Sequence, residues 1–289
     1  MGMNRGIELN NTEADIWMPE GVSFEDAVSR TTCLAIGAHQ DDLEIMAYEG
    51  IARCYKSTEE WFTGVVVTDG RGSSRLGPYA DLNDDEMRLK RREEQREAAV
   101  LGQYGLQMQL DYESQKVKGD GKVQLVEDLV QLLLRMRPEV VYLHQPADKH
   151  ATHVAVMMCC LEALRQVAGE YVPERVLGCE VWRDLDWLGD SEKVAMDCSA
   201  YPELARSLVE VFDSQISGGK AYDEGALGRR RANATFCNSH SSDDCEAVSW
   251  AMDLRPLVVD QSLGVAAFVG GKIDGFKGEV LRCVDESCL

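Results

Sequence analysis

Two short segments carry residues able to do hydrolytic chemistry. Ala38-His39-Gln40-Asp41-Asp42-Leu43-Glu44 follows one apolar run directly, and Asp148-Lys149-His150-Ala151-Thr152-His153 follows another. Catalytic zinc usually takes three protein ligands and keeps a fourth position for water, and two histidines with one carboxylate satisfy that. His39 and Asp42, three residues apart on a loop leaving a strand, can converge on one point, and His153 arrives from a neighbouring strand. These three are assigned as the metal ligands. Zinc is the expected ion, with another divalent metal such as Fe2+ also suited to the set, and it would lower the pKa of its water to about 7. Asp41, adjacent to a ligand but not needed as one, is placed as the general base. His150, one helical turn before His153, is placed to stabilise the oxyanion or protonate the leaving amine. Asp148 is placed to orient His150 or a ligand imidazole.

Taken singly, these residues have plainer readings. Asp41 and Asp42 suit the cap of a helix starting near Leu43, and Asp148 suits the cap of one starting near Ala151. A strand-end His-x-x-Asp together with a distant strand-end His-x-x-His seldom arises by chance, and the joint pattern favours a metal site.

The elements that must position these loops follow from periodicity. Cys33 to Ala38, Thr63 to Thr68 and Val140 to His144 read as buried strands, with a short one at Gln107 to Leu110. Helices are expected at Leu43 to Tyr55, Asp84 to Leu101, Leu125 to Met136 and on from His153 to Val167, then at Glu203 to Ile216 and Gly219 to Phe236. Val176 to Trp182 and Val194 to Cys198 read as further strands, and Gly264 to Cys283 follows no single period. Alternating strands and helices predict a Rossmann-like α/β fold: a mostly parallel sheet with helices on both faces, extended at the C-terminal end by further strands and helices. Such sheets bind ligands beyond the carboxyl ends of their strands, where both histidine-bearing segments sit. With no repeat or Pro-rich linker, residues 1–289 are read as one domain, its core at about 31–165 and residues 166–289 completing it.

Composition excludes several partners. The formal net charge of −20 repels a phosphate backbone, so nucleic acid is not expected. Apolar runs are too short to span a membrane, and Met1 to Arg30 lacks a basic segment followed by an apolar one, which points to the cytoplasm. Ten cysteines without a CxxC pair, including Cys33, Cys54, Cys159 and Cys160 in apolar stretches, read as buried free thiols. A homo-oligomer is compatible with all of this.

Ala38 to Glu44 resembles the AHPDDxE signature of the LmbE-like, PIG-L type de-N-acetylases, and Asp148-x-His150-x-x-His153 resembles that family's HPDH-type motif. Val65 to Gly70 and the Arg91-x-x-Glu94-x-x-x-Ala98-x-x-Leu101-Gly102 pattern are similar to its second strand and following helix. The resemblance covers about residues 31 to 165. It implies a Rossmann-like fold, a divalent metal, commonly zinc, and hydrolysis of an acetamido group on an amino sugar. Across the motifs, His39, Asp42 and His153 match the metal ligands, Asp41 the base and His150 the oxyanion-side histidine. Two departures stand out. Gln40 replaces the usual proline, loosening the loop backbone, and Thr152 replaces the acidic residue usual between the histidines, leaving Asp148 as the substitute partner for His150.

The expected function is therefore metal-dependent hydrolysis of an N-acetyl amide on a small N-acetylated amino sugar or its conjugate. An amidase acting on a larger thiol-type conjugate and a catalytically idle sugar-binding module are the alternatives. Thr68 to Ser74 is expected at the rim of the site, with Arg71 and Arg75 either clamping an anion or exposed. Arg229-Arg230-Arg231 and the helix from Asp84 to Glu97 are expected as solvated faces. His144 is expected as a satisfied structural histidine and His240 in a surface loop. Trp182, Trp187 and Tyr222 suit core packing as well as sugar stacking.

Overall fold

Alternation along the buried strands builds two apolar cores. In β2 (Cys33–Gly37), Leu34 and Ile36 enter one core while Cys33 and Ala35 enter the other. Val141 and Leu143 against Val140 and Tyr142 repeat the division, as expected of a sheet covered on both faces.

The computed structural model describes residues 6–238, 240 and 242–287. In its first half, β1 (Asp15–Trp17) and α1 (Phe24–Ser29) precede β2, then come α2 (Asp42–Met46), α3 (Tyr48–Cys54), β3 (Phe62–Thr68), α4 (Asp84–Leu101) and β4 (Leu106–Tyr112). Next are α5 (Ser114–Lys118), α6 (Lys122–Met136), β5 (Val140–His144), α7 (Ala151–Val167) and β6 (Arg175–Cys179). The last part holds β7 (Lys193–Asp197), α8 (Pro202–Glu210), α9 (Asp213–Ile216), α10 (Tyr222–Thr235), β8 (Val248–Asp253), α11 (Arg255–Val259) and α12 (Val265–Ser287).

One eight-stranded sheet results, in the order β1-β4-β3-β2-β5-β6-β8-β7. Strands β2 to β6 pair in parallel, β1 lies antiparallel on β4, and β8 joins β6 and β7 antiparallel. The chain order reverses between β2 and β5, the switch point at which such sheets bind ligands. Both chemistry-bearing segments leave those two strands. No helix among the described residues is long and apolar enough to cross a membrane.

Several expectations need correction. The helix expected over Leu43 to Tyr55 breaks at Ala47, whose φ of −119° ends α2 and starts α3. The helix expected over Glu203 to Ile216 likewise divides into α8 and α9. Strand β8, with every residue but the last buried, had no period-2 signal because both of its faces are covered, Val248, Trp250 and Met252 entering one core and Ala251 the other. The segment with no single period is the long helix α12, which buries no residue and therefore needs no apolar stripe. Cys33, Cys54, Cys159 and Cys160 are buried free thiols, as expected. His240 is exposed, while Ser239 and Ser241 beside it lie outside the described residues.

Candidate metal centre

Gly37 ends β2 because α2 folds straight back over it: a Cβ there would lie 3.0 Å from Asp42 Cβ and 3.0 Å from Leu43 Cδ2. The return brings Asp42 Oδ2 to 2.7 Å from the His39 N–H, which it accepts. Gln40, at the position where the resembling motif has proline, does not leave the loop loose. Its buried Nε2 donates to Thr68 O and Gln109 Oε1, both at 3.2 Å. Gly70, at φ 70°, leaves the room its amide needs, since a Cβ there would lie 2.4 Å from Gln40 Oε1.

On the other strand, His150 is the N-cap residue of α7 and His153 lies in its first turn. His153 is thus on a helix rather than in a loop, one turn from His150. The donors of the three expected ligands converge. His39 Nδ1 is 3.2 Å from His153 Nε2 and 3.5 Å from Asp42 Oδ2, and His153 Nε2 is 3.4 Å from Asp42 Oδ1. Donors of a four-coordinate ion stand about 3.3 Å apart, so the three residues are close enough to hold a divalent metal, with Asp42 meeting His39 through Oδ2 and His153 through Oδ1. Two overlapping donor groups share His153: one with His39 and His150, the other with Asp42 and His144.

His144 sits behind the ligands. It is fully buried at the end of β5, its ring stacked on that of His153 with centroids 3.8 Å apart and planes at 22°. Its Nε2 accepts the Ala38 N–H at 2.9 Å and stands 3.2 Å from Asp42 Oδ2. Burial alone would raise the Asp42 carboxyl, but the facing His153 and His144 imidazoles hold it well below the usual carboxylate range. Burial lowers His153 to about 4, against the pull of Asp42.

Neither acid beside the cluster serves as the side-chain cap that its sequence position allowed. Asp41 occupies the N-cap position of α2 but makes no capping hydrogen bond. Its backbone is left-handed, φ 84°, which costs a non-glycine residue roughly 1–3 kcal/mol. Its carboxylate turns to Arg91, whose Nη2 is 3.0 Å from Asp41 Oδ2 and also donates to Gln40 O. Gln95 Oε1 accepts the Asp41 N–H at 3.3 Å, and Gln95 Nε2 donates to Glu44 Oε1 at 2.8 Å. Burial pushes Asp41 up to about 6 although the Arg91 guanidinium opposes it.

Asp148 is not the partner of the His150 ring. Its Oδ1 accepts the His150 backbone N–H at 2.8 Å, its Oδ2 accepts the Trp182 backbone N–H at 3.2 Å, and Oδ2 faces His153 Nδ1 at 3.6 Å. Burial raises the Asp148 carboxyl, and His153 more than reverses that. Among the described residues no carboxylate lies within ion-pairing distance of the His150 ring, and burial followed by the His39 charge lowers its pKa.

Within two segments read as solvated faces, which are mostly exposed, a few polar residues are buried instead. Arg91, Glu94 and Gln95 face inward from α4, and Glu94 accepts both the N–H and the hydroxyl of Ser214, at 2.8 and 2.6 Å. Their spacing with Met87 and Ala98 is the inward stripe of a helix, a signal hidden by its polarity. Arg230 is buried and donates to Glu44 O at 2.6 Å and Ile45 O at 3.1 Å, while Arg229 donates to Val181 O and Arg231 to Glu246 O. The triplet fastens backbone carbonyls. Arg71 pairs with Asp69 at 2.5 Å and Arg75 with Asp84 at 2.5 Å, so both rim arginines are engaged.

The cluster opens into a cleft of about 810 Å³. His39, Asp41, Asp42 and His150 line it beside Trp182 and Tyr222, and the loop from Asp69 to Ser74 forms part of its rim, as expected. Trp187 packs against the apolar core instead.

Residues 34–164 match the family described as PIG-L, GlcNAc-PI de-N-acetylase. The match spans the segment from β2 to α7 that carries both histidine-bearing motifs. No curated protein matches it by sequence. Among solved structures, N,N′-diacetylchitobiose deacetylase from Pyrococcus horikoshii is similar over 80% of this chain and 86% of its own, at 16% identity and a TM-score of 0.59. GalB, the 4-carboxy-2-hydroxymuconate hydratase of Pseudomonas putida KT2440, is similar over 78% and 96%, at 19% identity and a TM-score of 0.58. The conserved protein TT1542 of Thermus thermophilus is similar over 81% and 99%, at 20% identity and a TM-score of 0.58. These likenesses establish the shared fold, a mixed α/β architecture. A hydratase among them shows that the fold alone does not fix the reaction.

Proposed function

We propose that this protein is a PIG-L type, zinc-dependent hydrolase that removes the N-acetyl group from an amino sugar or its conjugate. The observation carrying this reading is the convergence of His39, Asp42 and His153, with donor atoms within 3.5 Å of one another and Asp41 beside them, on the floor of an open cleft. The family description and the diacetylchitobiose deacetylase point to an acetamido substrate, and the hydratase does not.

His39, Asp42 and His153 would hold the ion. A divalent ion bound there supplies Lewis acidity that makes water nucleophilic near neutral pH. Asp42 suits this role because its carboxylate is held ionised, and Oδ2, already accepting the His39 N–H, fixes its orientation. Asp148, facing His153 Nδ1, orients that imidazole from behind. Asp41 accepts the proton of the attacking water and returns it to the amine as the C–N bond breaks, leaving acetate and a free amino group. His150, partnered by no carboxylate, acts as a neutral donor toward the carbonyl oxygen.

A cleft of about 810 Å³ is roomy for a single sugar ring, and that observation favours a conjugate over a free monosaccharide. The thiol-type conjugate remains the second reading on the same ground.

The test is incubation of the purified protein with a panel of N-acetyl amino sugars and N-acyl conjugates, with acetate and the free amine followed together. Equal release of both from at least one acetylated compound is the expected result. Release of neither, from protein carrying its metal, contradicts the reading.

A further inference from the structure

Helix α12 is the longest among the described residues, and its own chain leaves it almost uncovered. Its start is anchored: Val265 and Phe268 pack against the core, and Lys272 Nζ donates to Glu192 Oε1 at 2.7 Å. Beyond Phe276 every described residue of the helix is exposed. Gly270, Gly271, Gly275 and Gly278 stand in open space, where a Cβ would meet nothing within 4 Å. Glycine weakens a helix, and helices in proteins draw most of their stability from the packing of an apolar face, so α12 calls for a partner along its length.

The fold itself needs no stripe on this helix, yet α12 carries one. Ala266, Val269, Ile273, Phe276, Val280 and Cys283 follow one another at alternating steps of three and four residues, and none is charged. Ala267, Leu281 and Val284 lie between them and mask the repeat when the sequence is read alone. Alternating steps of three and four are the seam by which two helices wind around each other. The seam is open to a partner, with Ile273 49% and Val280 43% exposed, and Leu281 and Val284, each 53% exposed, widen it.

Charge beside the seam selects the occupant. One flank reads Lys272, Glu279, Glu286 at seven-residue intervals, and the other carries Lys277. Flanking charges set the choice and direction of a partner helix. Two copies side by side in parallel would set Lys272 against Lys277 of the partner subunit. Antiparallel copies bring Lys272 to the acidic end of the other helix, where Glu279 and Glu286 lie, and oppose the two helix dipoles. A lipid surface fits less well. With four acids against three bases on the helix and a net charge of −20 on the chain, α12 lacks the basic face that holds an amphipathic helix to anionic lipid.

We propose that two copies of this chain associate through α12, the helices packed antiparallel along the seam of Ile273, Phe276 and Val280. This surface lies apart from the cleft and does not depend on the reaction assigned to it.

Sedimentation equilibrium of the full-length protein from about 1 to about 100 μM tests the pairing, and a dimer that dissociates toward the dilute end is the expected result. Ile273→Glu combined with Val280→Glu puts charge on the seam and should leave a monomer throughout, with the thermal unfolding midpoint of the dilute wild type. A wild type that stays monomeric across the range, or a double variant that still dimerises, overturns the proposal. Glu279→Lys combined with Glu286→Lys should weaken association about tenfold, because antiparallel packing sets the new lysines against Lys272. Undiminished association in that variant overturns the antiparallel arrangement. Flotation with phosphatidylcholine–phosphatidylserine vesicles should recover no protein; recovery that the Ile273→Glu, Val280→Glu variant loses would make a membrane the occupant of the seam and overturn the pairing.

Discussion

Arg91 Nη2 lies 3.0 Å from Asp41 Oδ2, in a pair almost wholly withdrawn from solvent. The same nitrogen donates to Gln40 O, so one guanidinium holds both the carboxylate of the proposed base and the peptide that precedes it. A left-handed aspartate is seldom stable unsupported, and α4 supplies the support from 50 residues away in sequence.

Arg91→Ala is expected to destabilise the fold by about 3 kcal/mol, since it leaves a buried carboxylate without its partner. Acetate release should fall by at least about 100-fold as Asp41 loses its orientation. Arg91→Lys restores the charge but not both contacts, and should recover stability better than turnover. Denaturant unfolding alongside steady-state kinetics checks this; full turnover in either variant would mean that Asp41 needs no clamp.

Asp41→Asn should separate binding from turnover. The ligands His39, Asp42 and His153 are untouched, so zinc content by native mass spectrometry should equal that of the wild type. Acetate release should drop by about 10²–10⁴-fold with the loss of the base. Wild-type turnover would remove Asp41 from the mechanism.

Metal affinity should be graded by position. His153→Ala removes a donor shared by both groups and should abolish tight zinc binding. His144→Ala removes a group behind Asp42 and should weaken binding by about 10–100-fold without abolishing it. Competition with a chromophoric chelator measures both, and equal affinities in the His144 variant and the wild type would reduce that residue to core packing.

Glu44 gives stability a pH dependence. It is fully buried, Gln95 and Tyr104 donate to Oε1 at 2.8 and 2.7 Å, and Oε2 has no partner among the described residues. Burial pushes its pKa from 4.5 up to about 7. The folded protein thus binds more protons than the unfolded chain across that window. The stabilising effect is complete below pH 4.5 and is lost as pH rises through about 7, on the order of 3 kcal/mol in all. Glu44→Gln, which keeps the protonated shape, should gain stability relative to the wild type between about pH 5 and about pH 8. A constant difference across that range would show that Glu44 does not titrate with folding.

The fold and the donor cluster were legible because both rest on local signals. Buried parallel strands such as β5 are short apolar runs, and His39 with Asp42 or His150 with His153 are read from spacing within one turn. What lay outside the sequence reading depends on contacts between distant segments. Arg91, Glu94 and Gln95 look like a solvated face until α4 is seen to turn that face toward Asp41 and Ser214. Arg230 looks like surface charge until α10 meets the carbonyls of α2. Asp148 stands beside the cluster, but which imidazole it faces follows from the entry angle of α7, which no spacing encodes.

The most direct test of metal-dependent deacetylation is a zinc titration of the chelated protein, with acetate release from an N-acetylated amino sugar as the readout. Release should be absent without metal, rise in proportion to added zinc, and reach its plateau at about one ion per chain, the capacity of the His39, Asp42 and His153 set. Release that survives complete chelation, or that does not return with zinc, would contradict it.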